Sequence, residues 1–262
     1  MTMRVASLSS GSSGNSYYIE CPEGAVVIDA GLSGKVLVER LILAGGDPGR
    51  VRGVIVTHDH VDHARGAGIL QRRHGWKLWM TRGTRDAAAN LGKVEVETVA
   101  AGSGLAAAGM TFQFLATSHD GAEPVVVMAE RGRQRCGVFT DLGFPGEHLS
   151  TALESLDFVF LESNYDPGML ASCDYPAHTK ARIRGKGGHI SNAEAAGLVA
   201  GLRGGRLRDV VLSHLSENSN RPDLAYADFT GGLGDGWDRS ELRVGVAKRH
   251  EPMPLCAIGR NS

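Results

Sequence analysis

Cysteine is scarce and scattered. Cys21, Cys136, Cys173 and Cys256 form no C-x-x-C pair, which excludes a zinc ribbon or thioredoxin-type motif and argues against a disulfide framework. No run of eighteen apolar residues occurs, so no membrane-spanning helix is predicted. The Met1 to Ser16 stretch has neither a charged n-region nor an apolar h-region, and the expectation is a cytoplasmic protein without a membrane partner. An excess of one charge is also lacking. With 28 Lys and Arg against 29 Asp and Glu, the net charge of -1 denies the chain a global basic character, and any polyanion must be held by a local patch. Aromatic residues are only 6% of the chain, and Trp76, Trp79 and Trp237 are expected in the core before they are considered as base-stacking surfaces.

Glycine is plentiful, at 36 of 262 residues, and falls in turn-like stretches such as Gly187-Gly188 without a collagen period. A chain of this length can bury one sizeable core, and neither repeat nor linker marks a boundary, so residues 1–262 are expected to form a single domain. Short β-rich runs are predicted over 4–8, 16–20, 25–29, 51–56, 77–80, 110–117, 125–129, 136–141, 157–161 and 208–213, with a last one over 241–247. Helices are predicted over 36–43, 84–91 and 191–202, the last with Ser191 and Glu194 as a capping box. The segment 215–240 carries no assignable pattern.

The polar residues with chemical potential lie where strands stop. After the 51–56 run comes His58-Asp59-His60-Val61-Asp62-His63, three imidazoles and two carboxylates within six residues. Buried without partners such groups would each cost several kcal/mol, at roughly 2–7 for a polar group alone. A cation is their natural partner, and imidazole with carboxylate suits Zn, Mn or Fe. One loop cannot complete two coordination shells. Isolated candidates stand at three other strand ends: His119, Asp141 and His214.

The H-x-H-x-D-H segment, followed in order by His119, Asp141 and His214, resembles the metallo-β-lactamase superfamily of binuclear hydrolases. The resemblance implies a four-layer αβ/βα sandwich of α/β class, with two mixed β-sheets flanked by helices. It also implies two divalent metal ions, with His58, His60 and His119 on the first, Asp62, His63 and His214 on the second, and Asp141 as bridge and catalytic residue. Asp29 would support the metal loop without ligating. A metal-bridging hydroxide would then be the nucleophile, its pKa brought toward about 7 by coordination. Zn or Mn is favoured, with Fe as a further option.

Further motifs narrow the substrate. Ser9-Ser10-Gly11-Ser12-Ser13-Gly14-Asn15, Leu161 to Asp166 and Gly187 to Asn192 resemble the YycJ/WalJ branch, which implies a phosphodiesterase of exonuclease type acting on nucleic acid, DNA favoured. Tyr165 stands where that branch usually has His. His189 is assigned as general acid and Glu162 as its orienting partner. Ser12, Asn15, Asn164, Lys180, Arg182, Arg184 and Asn192 are assigned to substrate, the basic ones within a surplus that runs through Arg203, Arg206 and Arg208. Two alternatives remain: a thioester or lactone hydrolase of the same fold, and a non-catalytic metal-binding regulatory module.

Overall fold

The computed structural model describes residues 2–89, 91–202, 205–234 and 242–259. Arg203 and Trp237 lie outside the described residues. The described strands belong to two mixed seven-stranded sheets with helices beside them, the composition implied by the resemblance. No helix among the described residues is long and apolar enough to cross a membrane.

The chain divides into two compact units, the first built from Met1–Ala116, Gly121–Arg135 and Lys248–Ser262. In this first unit β1 (Arg4–Ser9), β2 (Ser16–Cys21) and β3 (Gly24–Ile28) pair antiparallel. Parallel pairing then adds β4 (Val51–Ile55), β5 (Lys77–Thr81) and β6 (Val96–Val99). The β2 and β3 residues are buried throughout; β3 is accordingly continuously apolar, while β2 also buries Glu20, whose carboxylate accepts from Tyr18 Oη at 2.7 Å. A short strand, Cys256–Ala257, closes on β1. Helix α1 (Gly34–Leu43), capped by Ser33, turns Leu37 and Leu41 into the core. Trp76 and Trp79 are buried, as their apolar setting predicts. Strands β7 (Gly104–Ala107), β8 (Met110–Ala116) and β9 (Val125–Arg131) form an antiparallel run in the same unit.

The second unit is Thr117–Asp120 with Cys136–Ala247. Here β10 (Gln134–Phe139), β11 (Phe158–Glu162), β12 (Asp209–Ser213) and β13 (Arg243–Val246) are all parallel. The helix predicted at 191–202 runs over Asn192–Ala200, and its capping box between Ser191 and Glu194 is formed. A helix at Pro222–Gly232 occupies the stretch that carried no assignable pattern.

Two strands end earlier than the sequence suggests, for one physical reason. Asp29 and Asp141 were expected to be the last residues of strands; the strands stop at Ile28 and Phe139 because both aspartates are left-handed, with φ of 61° and 59°. His214, after β12, has φ of 56°. Non-glycine residues there are uncommon, although Asp and His tolerate the region better than most, and such backbone concentrates at functional sites. Of the five non-glycine residues with positive φ among those described, three are strand-end candidates from the metal motifs.

Candidate metal centre and catalytic residues

In the first unit the metal loop leaves the C-terminal end of β4, the end at which parallel sheets of α/β proteins place their ligands. Asp29 organises the loop from beneath. Its carboxylate accepts from Thr57 N at 2.8 Å, from Thr57 Oγ1 at 3.0 Å and from His63 Nδ1 at 2.7 Å. Because the Thr57 hydroxyl hydrogen is given to Asp29, its oxygen accepts from His58 Nδ1 at 3.1 Å. In both histidines Nδ1 therefore carries the proton and Nε2 the lone pair, the tautomer that a carboxylate or hydroxyl behind a metal ligand selects. The His63 Nε2 lone pair faces Asp62 Oδ2 at 3.5 Å. Two ligands on one tetrahedral ion with bonds near 2.1 Å stand about 3.4 Å apart, so the pair has the spacing of atoms that share a cation. The ring of His60 lies 4.6 Å from that of His58.

In the second unit the same logic recurs around Asp141. His119 donates Nδ1–H to the Gly188 carbonyl at 2.9 Å, leaving its Nε2 lone pair 3.6 Å from Asp141 Oδ1. Burial pushes the His119 imidazole below its ordinary pKa, against the pull of Asp141, and a neutral imidazole is the form that ligates. Glu162, fully buried at the end of β11, is the hub. Its Oε1 accepts from His189 Nδ1 at 2.7 Å and from His214 Nδ1 at 3.2 Å, while Oε2 accepts from Leu142 N at 2.9 Å and Ile190 N at 3.3 Å. Burial by itself would raise the carboxyl, but the facing His189 and the two imidazole hydrogen bonds outweigh it and hold it down at about 2. Asp141, Glu162, His189 and His214 have donor atoms within 4.8 Å of one another, yet with both Nδ1 protons directed at Glu162 the two imidazoles are left to act through Nε2.

A profile described as "Metallo-beta-lactamase superfamily" matches residues 10–183. The chain belongs to the metallo-β-lactamase superfamily. Within it the chain falls in the WalJ/YycJ-like branch. It is 31% identical over 245 residues to exodeoxyribonuclease WalJ of Streptococcus pneumoniae serotype 2, covering 91% of this chain and 90% of that one. It is 29% identical over 229 residues to exodeoxyribonuclease YycJ of Bacillus anthracis, covering 86% and 87%. Among solved structures it is similar to the metallo-β-lactamase fold protein YhfI from Bacillus subtilis, with a TM-score of 0.71 at 16% identity over 96% of this chain and 99% of that one. That likeness shows the αβ/βα sandwich fold of the superfamily.

As a superfamily member the chain carries His and Asp clusters whose tautomers and spacings fit divalent metal ions in each unit. The residues assigned to substrate differ in their surroundings. Asn15 is buried, and its Nδ2 donates to His63 Nε2 at 3.0 Å and to Asp62 Oδ2 at 3.3 Å, so it braces the metal loop. Asn164 is buried and donates to the His214 carbonyl at 2.7 Å. Asn192 is buried among Ser163, Asn220 and Asp228. These three amides hydrogen-bond within the protein, Asn15 to two of the residues assigned to metal. Tyr165 is buried against Leu170 and Ile183.

The basic surplus is smaller than the sequence window suggests, because its acidic partners come from other segments. Arg182 is bidentate on Asp120, and Arg206 pairs with Asp157 at 2.9 Å. Lys180 Nζ donates to the Ala171 carbonyl at 2.7 Å, whereas Arg184 and Ser12 are exposed. Sequence reasoning missed Asn220, whose Nδ2 donates to the carbonyls of Ser163 and Asn164 at 2.8 and 3.1 Å. Only its place after the His214 strand end pointed to it.

Asp29→Asn keeps a residue that tolerates left-handed backbone but removes the charge and one acceptor from the three donors it serves. Removing such a partner behind a ligand costs about 10–100-fold in metal affinity. Competition with a chromophoric chelator should show that loss, with the far-UV circular dichroism spectrum unchanged.

Proposed function

We propose that this metal-dependent hydrolase cleaves phosphodiester bonds of nucleic acid, DNA in preference to RNA, from a strand end and in the cytoplasm. Two divalent ions, Zn or Mn, would be held by His58, His60 and His119 and by Asp62, His63 and His214, with Asp141 between them. Bound there, the ions would supply activation of water near neutral pH and stabilisation of charge on the phosphoryl oxygens. The names of the WalJ and YycJ relatives support a nuclease.

The observation that carries the reading is the His189–Glu162 pair. A nucleic-acid diester releases an alkoxide, a poor leaving group that needs a proton as its bond breaks. Glu162 fixes the imidazole through Nδ1 at 2.7 Å, and with its negative charge as counter-ion the imidazolium would give its Nε2 proton to the leaving oxygen and be left as the Nδ1–H imidazole. A thioester releases a thiolate, whose conjugate acid has a pKa of about 8.5, and needs no such donor. The pair therefore favours a diester over a thioester.

Purified protein loaded with Mn or Zn should be offered end-labelled single- and double-stranded DNA and RNA beside a generic thioester, a lactone and a phosphodiester dye. Turnover of DNA and dye, with none of the thioester or lactone, is expected. Turnover of an acyl substrate with none of any nucleic acid would select the acyl hydrolase, and metal binding without any turnover would select the regulatory module.

A further inference from the structure

The three segments that carry His119, Asp141 and His189 are sewn together beside those residues. Ser118 and Gly143 form a β-bridge, Ser118 Oγ donates to the Lys186 carbonyl at 2.6 Å, and Asp120 N donates to the Gly187 carbonyl at 3.0 Å. Gly143 makes the junction possible. Its φ is 53°, and a Cβ there would stand 1.8 Å from the Ser118 carbonyl oxygen and 2.4 Å from that of Lys186. Only glycine admits so close an approach of three backbones.

The pinned turn presents Phe144 outward with 59% of its surface exposed. A single exposed apolar residue is ordinary on a protein surface, so exposure alone decides nothing. Two further observations give it meaning. Lys186 Nζ lies 5.8 Å from the centre of the Phe144 ring, within cation–π range. A cavity of about 310 Å³ opens beside the ring, lined by Gly143, Phe144, Pro145, Ser150, Glu194 and Leu198 among others. Aromatic rings that stack on bases, with cations along the backbone, are what hold the strand in proteins that bind single strands; with Lys186 over one face of Phe144, a base would take the other. Position agrees with that use. Phe144 is three residues from Asp141 and Lys186 three residues from His189, so each lies within about 10 Å of chain from a residue of the proposed centre.

We propose that Phe144 and Lys186 form a nucleotide-binding subsite in which the ring stacks on a base next to the scissile bond and the ammonium neutralises its phosphate. The subsite rests on the phosphodiesterase reading and adds to it how the strand is gripped. Because every base has a π-face, such a grip is indifferent to sequence, and it distinguishes a strand with bases from one without.

The test is binding of a fluorescent single-stranded DNA oligonucleotide with cleavage-resistant phosphorothioate linkages, and of an abasic oligonucleotide of the same length and linkages, by anisotropy with the metal-loaded protein. Phe144→Ala should weaken binding of the base-containing strand by about 5- to 100-fold, and Phe144→Trp should restore it. The abasic strand should bind the original protein more weakly and lose nothing further with Phe144→Ala. Lys186→Ala should lower the salt slope by about one on both strands. If Phe144→Ala binds the base-containing strand as the original does, or weakens both strands equally, the stacking subsite is overturned while the nuclease reading stands. If the original protein binds neither strand, the nucleic-acid reading fails and the subsite with it.

Discussion

His189→Ala should lower hydrolysis of DNA by about 10²- to 10⁴-fold with metal content unchanged, the span over which a positioned general acid contributes. The expectation follows from geometry. The His189 Nδ1 proton is committed to Glu162 Oε1 at 2.7 Å, the ring is held 5.1 Å from those of both His119 and His214, and Nε2 is left as the atom that can exchange a proton with substrate. An activated nitrophenyl phosphodiester releases an anion already stable in water, so the same variant should lose far less on that substrate. Parallel rate measurements on DNA and the nitrophenyl ester separate the roles. Equal losses on both, with metal intact, would assign His189 to binding or scaffolding.

The second large effect belongs to the metal loop. His63→Ala should reduce bound metal by about one ion per chain and reduce turnover of DNA by at least about a hundredfold, because on the two-ion proposal both ions together would activate the attacking water. His63 is fully buried against Asp29, so its loss also strips that carboxylate of a donor. Asp62→Ala is the cleaner companion, since the Asp62 side chain is 23% exposed and its removal disturbs little packing. Elemental analysis and rates on the two variants should fall together. One metal fewer at undiminished rate would sink the two-ion account.

The metal motifs were legible for a reason that also marks the limit of such reading. Three histidines and two aspartates in six residues have no packing explanation, and His119, Asp141 and His214 each follow a run that forms a strand. The αL backbone at Asp29, Asp141 and His214 was not legible, and it is what ends two strands before their aspartates. A buried amide that braces a loop and an exposed amide that touches substrate are the same letter in a sequence. Asn15, Asn164 and Asn192 are read from the sequence as substrate residues, and the hydrogen bonds they make within the protein are visible only in the structure. Counting basic residues in a window likewise hid Asp120 and Asp157, which come from outside it. The helix at Pro222–Gly232 escaped notice because only Ala225 and Phe229 are buried in it, too few to set a period. The helix expected over 84–91 begins at Arg82 instead, since Thr81 accepts from Thr84 N and acts as its cap.

The proposed activity is metal-dependent hydrolysis of DNA from an end. Its most direct test sets linear single-stranded DNA beside a covalently closed circle of the same sequence, with Mn or Zn and then with chelator. The linear strand should be degraded progressively to short products, the circle should survive, and chelator should stop the reaction until metal is restored. Equal cleavage of the circle, or degradation of the linear strand at full rate in chelator, would contradict the account.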